Sequence, residues 1–532
     1  MRPYGVLISM AALPLMLAAA LRGLRSIRRS LRGETQDQRL RRVAAMLCDY
    51  LDPATLTKRP TVKLASPQQL DVAFAAVGCP LPLAKGEPPL SEFDLLRSLA
   101  LTLEYSVSTG GPGFYNQLYG RADSSSICAE WLVAAANTNC HTFEVAPVFT
   151  MAEKYVLERL AEVIGPTFAS GYDGLFVPGS SIGNLYALLL ARHRVAPQIK
   201  TKGIPAAGRL VAFVSEEAHY SFLKSAVVIG IGSDNLVKIP TVADSGMMDT
   251  DALRRAIEQA MSNGQLPFFV GATAGTTVVG AFDSLRAVQR VSKEHGLWVH
   301  VDAAWGGGVL FSPTRRDLVD GMDACDSMAC SLHKMLGATL QCSVFMTSHA
   351  GALRACNATS AAYLFQPDKL FADLDLGDKT IQCGRKADGF KLWVLWKSLG
   401  DEGLAKRVDN LFSLAQHAVN RIRASEGAFV LAYPPSCTNV CFWYAPKVLR
   451  PLREPAALTP QHPVHHVAPW IKAEMQAAGD ALIGFQSING RPNFFRWVFA
   501  SGDCLTDADV DAVLERIALL GERFPLPPRE LQ

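Results

Sequence analysis

The chain has 532 residues, 49% hydrophobic and 19% charged, which excludes a disordered or fibrous protein and allows a large core without staples. Its 52 lysines and arginines against 49 acids leave a net charge of +3, too even to point to a nucleic-acid partner. The 12 cysteines are scattered, with no CxxC pair and no zinc-like spacing, so no metal site is expected and the reading is a reducing compartment.

Length alone suggests roughly three or four domain-sized units, or one large α/β enzyme. In chain order, the first segment stands apart. Residues 6–21, "VLISMAALPLMLAAAL", are apolar or small, "RGLRSIRRSLRG" follows, and no acid precedes Glu34. Such a run is short for a membrane span of about 20 residues. Its charges lie after the apolar stretch, unlike a secretory signal. Residues 1–40 therefore resemble an organelle transit leader (mitochondrion or plastid), with a membrane anchor as the alternative and a cytoplasmic catalytic part behind it. Residues 41–150 form an N-terminal segment mixing helical patterns with the loop "STGGPGFYNQLYGRAD".

From 151 to 400, short apolar runs alternate with helical patterns. "RLVAFVS" (209–215), "PFFVGATA" (267–274), "LWVHVDAA" (297–304) and "SVFMT" (343–347) read as strands buried on both faces of a mainly parallel sheet. Helices are expected over 182–194 and 249–262 between them, giving the βαβ rhythm of an α/β fold. Residues 401–532 open on a helix, carry "TNVCFWYAP" and "NFFRWVFA" as strands, and end on an amphipathic helix near 506–521. They read as a small α+β C-terminal domain.

Ligands gather at the carboxyl ends of strands in such sheets, and polar residues stand at those ends here. Asp302 is followed by "AAWGGG", whose small residues leave room for a flat ligand. A buried carboxylate needs a partner, and a protonated pyridine nitrogen suits it. His219 follows another strand and could stack on a ring. "PGSSIGNL" (178–185) opens a helix with free N–H groups that suit a phosphate, and Thr273 adds a hydroxyl. "CSLHKMLG" (330–337) sets Lys334 at the edge of apolar core. Each has an ordinary reading as a cap, a loop cation or a core residue. Together they form the part list for pyridoxal phosphate: an amine, a carboxylate for the ring nitrogen and a phosphate cradle.

The stretches "FYNQL", "EVAPVF", "HYS", "ATAGTTVVGAFD", "HVDAAWGGG", "YLFQPDK", "GDKTIQCGR", "TNVCFWY" and "NFFRWV" closely resemble the group II pyridoxal-phosphate-dependent amino-acid decarboxylases. The likeness is to the glutamate and cysteine sulfinate branch, over roughly residues 95–525. It implies the aminotransferase-like fold type I and a homodimer with active sites at the interface. It makes Lys334 the covalent anchor of the cofactor, Asp302 the partner of the ring nitrogen, Ala304 the residue beneath the ring and His219 the one stacked above. Ser181, Gly183, Thr273, Ser331 and His333 become further cofactor contacts, and Cys383 and Gly384 phosphate contacts across the dimer. Tyr363 matches a loop tyrosine that reprotonates the product, and Arg496 the arginine that pairs with the substrate α-carboxylate. Two departures stand out: Ser331-Leu332 replaces Asn-Pro before the His-Lys pair, and Gly183-Asn184 replaces Ser-Asn in the phosphate turn.

The resemblance predicts an α-decarboxylase of a small acidic amino acid. Gln117 and Tyr119 lie in the loop that meets the far end of the substrate side chain. The bulky Tyr119 favours cysteine sulfinate (to hypotaurine, as in taurine biosynthesis) or aspartate (to β-alanine). "NTN", ending at Asn139, is more like the glutamate branch, and glutamate decarboxylation to 4-aminobutanoate is the alternative. A non-catalytic homologue would be expected to have lost the lysine, the aspartate or the loop tyrosine, and all three are present. A transaminase would have no evident use for Tyr363 and its loop.

Overall fold

The computed structural model describes residues 34–204, 208–361, 363–365, 368–452, 454 and 457–525. Most of the expected leader, residues 1–33, lies outside the described residues, but its last residues are helical, in a helix over Glu34–Leu51. No helix among the described residues is long and apolar enough to cross a membrane.

The chain divides into two units, with the boundary between Ser108 and Thr109. The first is helical. Its Pro67–Ala76 helix opens with a reciprocal cap between Ser66 and Gln69. Arg39 on the Glu34–Leu51 helix forks onto Glu92 of the Glu92–Tyr105 helix through Nε, at 2.9 Å, and Nη2.

The second unit holds two sheets. In chain order its strands are β1 (Phe114–Tyr115), β2 (Asp173–Val177), β3 (Leu210–Ser215), β4 (Leu236–Ile239), β5 (Leu266–Thr273) and β6 (Trp298–Asp302). There follow β7 (Ser327–Ser331), β8 (Ser343–Thr347), β9 (Phe429–Leu431), β10 (Asn439–Tyr444), β11 (Leu482–Gln486) and β12 (Phe494–Val498). The large sheet has the order β2-β8-β7-β6-β5-β3-β4, and the small one β1-β11-β12-β10-β9. In the large sheet β8 alone runs antiparallel to its neighbours, so the mainly parallel α/β architecture is as expected. Every residue of β2, β3, β6, β7 and β8 is buried, which is why their sequences show no polar alternation.

Two strands of the large sheet were not anticipated: β2 and β4. The β7 segment, "SMACS", carries two serines, each of its residues is buried, and it lies beside β6 as the strand that leads to Lys334. The helix expected at 401 begins earlier, since helical residues run from Asp388 to Arg423 and break at Gly400, whose φ of 65° is left-handed. β1, from the expected N-terminal segment, adds to the small sheet through β11.

The Ser180–Val195 helix packs directly on this sheet, and Gly183 permits the approach. A Cβ on Gly183 would stand 2.8 Å from the Ala329 Cβ on β7. Gly183→Ala should therefore cost about 1–3 kcal/mol of stability through overpacking. Adding Ala329→Gly should return most of it. Urea unfolding of the single and double variants measures both, and an unchanged midpoint in Gly183→Ala would refute this contact.

Candidate active site

Sheet register brings the site together. β5 and β6 pair so that Thr273 lies beside Asp302, and Asp302 pairs with Ala329 on β7. All three strands end at one edge, where a cavity of about 260 Å³ opens. Ser181, His219, Thr273, Asp302, Ala304, Ser331, His333 and Lys334, from eight positions expected in the sequence, line it. Lys334 gets there because β7 turns back into the antiparallel β8, so the connection carrying His333-Lys334 stays at the cavity edge.

Asp302 is 4% exposed, and each of its oxygens accepts one hydrogen bond from the protein. Its Oδ1 accepts the Ala304 N–H at 3.0 Å, and its Oδ2 accepts Asn184 Nδ2–H at 2.8 Å. Burial lowers the pKa of Lys334 from the ordinary lysine value, with Asp302 opposing the shift and Arg496 adding to it. His333 Nδ1 folds back on Cys342, 2.9 Å from its carbonyl oxygen and 3.0 Å from its nitrogen, and burial takes the ring down to about 4. His219 is also shifted down by burial, against the pull of Asp302.

At the cavity edge the Ser180–Val195 helix begins at Gly179 with no side-chain cap. The first N–H groups of a helix have no internal acceptor, so Ser180 and Ser181 offer theirs outward. The Ser331 hydroxyl lies 2.7 Å from Ser180 Oγ and 3.0 Å from Ser343 Oγ, in a buried serine cluster. Gly183 is corrected: its N–H bonds Gly179 O at 3.4 Å and its face is turned to Ala329, so it serves packing and not a phosphate. The "GGG" of residues 306–308 is corrected likewise. Cβ atoms there would meet Ala274 O at 2.6 Å, Cys330 Sγ at 2.5 Å and Met335 Cβ at 2.7 Å, so the glycines admit protein and not a ligand.

Arg496, on β12, reaches across from the small sheet. Its Nη2 donates to Asn116 O at 2.5 Å and its Nη1 to Thr277 O at 3.4 Å, while the buried Nε has no partner among the described residues. Thr277 is part of the cavity wall. The 114–119 loop contributes Leu118 to that wall. Gln117 is exposed, and the half-buried Tyr119 ring packs on Phe114 with centroids 5.9 Å apart.

The remaining expected residues lie elsewhere. Asn139 Oδ1 accepts the Arg385 N–H at 2.8 Å. Tyr363 is 81% exposed and, with Cys383, lines a separate surface cavity of about 660 Å³. Gly384 borders another, of about 510 Å³. Within one chain, therefore, Tyr363, Cys383 and Gly384 are apart from Lys334.

Sequence reasoning missed Asn184, Ser221 and His300, which together support Asp302. His300 Nε2 lies 2.9 Å from Asn184 Oδ1, and its Nδ1 2.9 Å from Ser327 Oγ. One signal was present: in a strand, residues two apart share a face, so His300 and Asp302 had to point the same way.

The chain matches the model for the pyridoxal-dependent decarboxylase conserved domain over residues 79–445. It is 43% identical to the glutamate decarboxylase of Drosophila melanogaster over 431 residues, covering 80% of this chain and 83% of the relative. It is 42% identical to human cysteine sulfinic acid decarboxylase over 439 residues, 81% and 86% of the two chains. The crystal structure of mouse CSAD in its apo form superposes with a TM-score of 0.85 at 38% identity, over 92% of this chain and 99% of that one. Oryza sativa TDC, solved with PLP and tryptamine, shares the fold with a TM-score of 0.80 at 22% identity.

The described residues fit pyridoxal phosphate. The buried Thr273 Oγ1 has no partner among them, the uncapped helix start suits a phosphate, and the chemistry of Asp302 and Lys334 suits a pyridinium and an aldehyde.

Burial holds His300 neutral, with a pKa pushed down to about 4 from the ordinary 6.5. Between these values the unfolded chain takes up a proton that the native state refuses, so stability falls as pH falls from about 6.5 to about 4, by roughly 3 kcal/mol for this residue. Urea unfolding across that range should show a steeper acid loss in the wild type than in His300→Gln. Equal slopes would mean that His300 protonates freely in the folded state.

Proposed function

Because the chain belongs to the pyridoxal-dependent decarboxylase family, we propose that it removes the α-carboxylate of a small acidic amino acid, with cysteine sulfinate or aspartate preferred to glutamate. The enzyme is a carboxy-lyase. Pyridoxal phosphate, when bound, supplies the sink for the electron pair left as CO₂ departs. Lys334 is the amine that holds the cofactor, and its lowered pKa keeps more of it neutral and nucleophilic. Asp302 would hold the proton on the ring nitrogen, and Thr273, Ser181 and the Ser180 N–H would take the remaining polar contacts. The unused Nε–H of Arg496, beside its tethered Nη groups, presents a donor to the substrate α-carboxylate.

The observation that carries the substrate choice is Tyr119. Its loop is pinned on both sides: Asn116 O holds Arg496, and the Arg121 N–H donates to Ser501 Oγ at 2.8 Å. A Cβ on Gly120 would stand 1.8 Å from that same Ser501 Oγ, so the loop cannot back away easily. Leu118 stands in the cavity wall and the neighbouring Tyr119 ring packs on Phe114; the reading is that this bulky ring, behind the wall, limits the space for the side chain beyond the α-carbon. One methylene is worth only about 1–3 kcal/mol, so a steric limit decides the preference. Purified enzyme given a panel of acidic amino acids should favour cysteine sulfinate or aspartate over glutamate by roughly 10-fold in kcat/KM. Tyr119→Ser should raise glutamate turnover relative to aspartate. A wild type that prefers glutamate, or a ratio that does not move, would sink this assignment.

Tyr363 is proposed to deliver the proton that replaces CO₂, in the site of a second copy of the chain. Its separation from the Lys334 cavity and its exposure support that reading, as do the exposed Cys383 and Gly384. A homodimer then shares its active sites. Lys334→Ala and Tyr363→Phe should each be nearly inactive in decarboxylation. Unfolded and refolded together in equal amounts, they should regain about a quarter of wild-type activity, since half the dimers are mixed and each mixed dimer has one complete site. No recovery on mixing would place Tyr363 in its own chain's site.

A further inference from the structure

At the wall of the cavity a line of buried polar side chains converges on one carboxamide, that of Asn184. Asn184 is 0% exposed. One Nδ2 hydrogen goes to Asp302 Oδ2 at 2.8 Å and the other to Ser221 Oγ at 2.9 Å. Its Oδ1 faces His300 Nε2 at 2.9 Å. A flipped amide would set oxygen against the Asp302 carboxylate, so the orientation is unique.

That orientation propagates along two arms. Toward the sheet, His300 must donate from Nε2, so its Nδ1 accepts the Ser327 hydroxyl at 2.9 Å, and Ser327 Oγ accepts Trp298 Nε1–H at 2.8 Å. Toward the cavity, Ser221 Oγ accepts from Asn184, which leaves its own proton for His219 Nδ1 at 2.8 Å. The Ser221 backbone N–H points at the same Nδ1 at 3.3 Å. Nδ1 is thus an acceptor twice over, and a neutral His219 carries its proton on Nε2.

We propose that Asn184 is a positioning residue whose single carboxamide both orients Asp302 and, through Ser221, fixes His219 as the Nε2–H tautomer. His219 lines the cavity, and with Nδ1 occupied its remaining polar atom is Nε2–H. The device turns an otherwise ambivalent ring into a hydrogen-bond donor for an anionic oxygen of a bound ligand. Burial favours the neutral ring, so the tautomer decides its character. The same group serves the Asp302 carboxylate and, through Ser221, the His219 imidazole, which ties the two settings together. The inference rests on the family and the described network, and not on the substrate preference.

The test reads the protons directly. Enzyme with ¹⁵N-labelled histidines, both free of cofactor and loaded with pyridoxal phosphate, is examined by two-bond N–H correlation spectra. In the wild type both His219 and His300 should show the Nε2–H pattern. Ser221→Ala should release His219 into a tautomer mixture while His300 stays unchanged. Asn184→Asp, equal in size but without the two amide hydrogens, should disturb both rings and weaken pyridoxal phosphate binding by about 10-fold, as expected when a buried carboxylate loses its donor. An Nδ1–H pattern for His219 in the wild type would overturn the proposal. Should Asn184→Asp fail to fold, Ser221→Ala still decides: an unchanged His219 pattern there would also overturn it.

Discussion

Burying a carboxylate at the end of β6 is the constraint from which the rest of the site follows. Asp302 is almost wholly out of water, and an ionised group there is tolerable only with hydrogen bonds in place. One donor is local, the Ala304 N–H. The other, Asn184, belongs to a helix that must lie close against the sheet, and Gly183 is the residue that lets it. The same helix starts at the cavity edge one turn earlier, without a side-chain cap. A single element therefore delivers both the uncapped helix start at the cavity edge and the support for the carboxylate, and its glycine belongs to the second task.

The other two requirements are met by different means. Lys334 is held at the cavity by the reversal between β7 and β8, which keeps its amine half-buried near Asp302. Arg496 comes from the small sheet, where Gly484 and Cys441 are its strand partners. The two sheets are tied by Trp305, whose Nε1–H donates to Asn439 Oδ1 at 2.7 Å, while Asn439 Nδ2 donates to Val278 O at 2.9 Å. The segment around Thr277 and Val278 thus braces β10 and Arg496 at once. Through Thr277, which Arg496 bonds and which lines the Lys334 cavity, directional hydrogen bonds carry this bracing to the cavity wall.

Much of this was legible. Strands β3, β5, β6 and β8 and the helices between them follow from apolar runs bounded by turns, a local pattern that the buried sheet preserves. β7 was legible only as a strand end beside that of Asp302 and not in its bounds, because two serines in five residues look polar until their partners, Trp298 and His300 on Ser327 and Ser180 on Ser331, are in place. The glycines after Asp302 were misread for a similar reason: the sequence shows that small residues are needed, and not whether a ligand or a neighbouring side chain needs the space.

By itself, the sequence determined the chemistry: an amine, a carboxylate and a hydroxyl at strand ends of an α/β fold, with an arginine marked by the resemblance, in stretches long and specific enough to identify the family. Those features are local, set by runs of a few residues and the turns that follow them. Tertiary structure alone decided which of those residues share a cavity. It bonded Asn184 to Asp302 across 118 positions, turned Gly183 into a packing residue and left Tyr363 on a separate surface. The sheet order runs β2-β8-β7-β6, so side chains meet according to strand neighbours and not chain distance, and no spacing along the chain encodes that order.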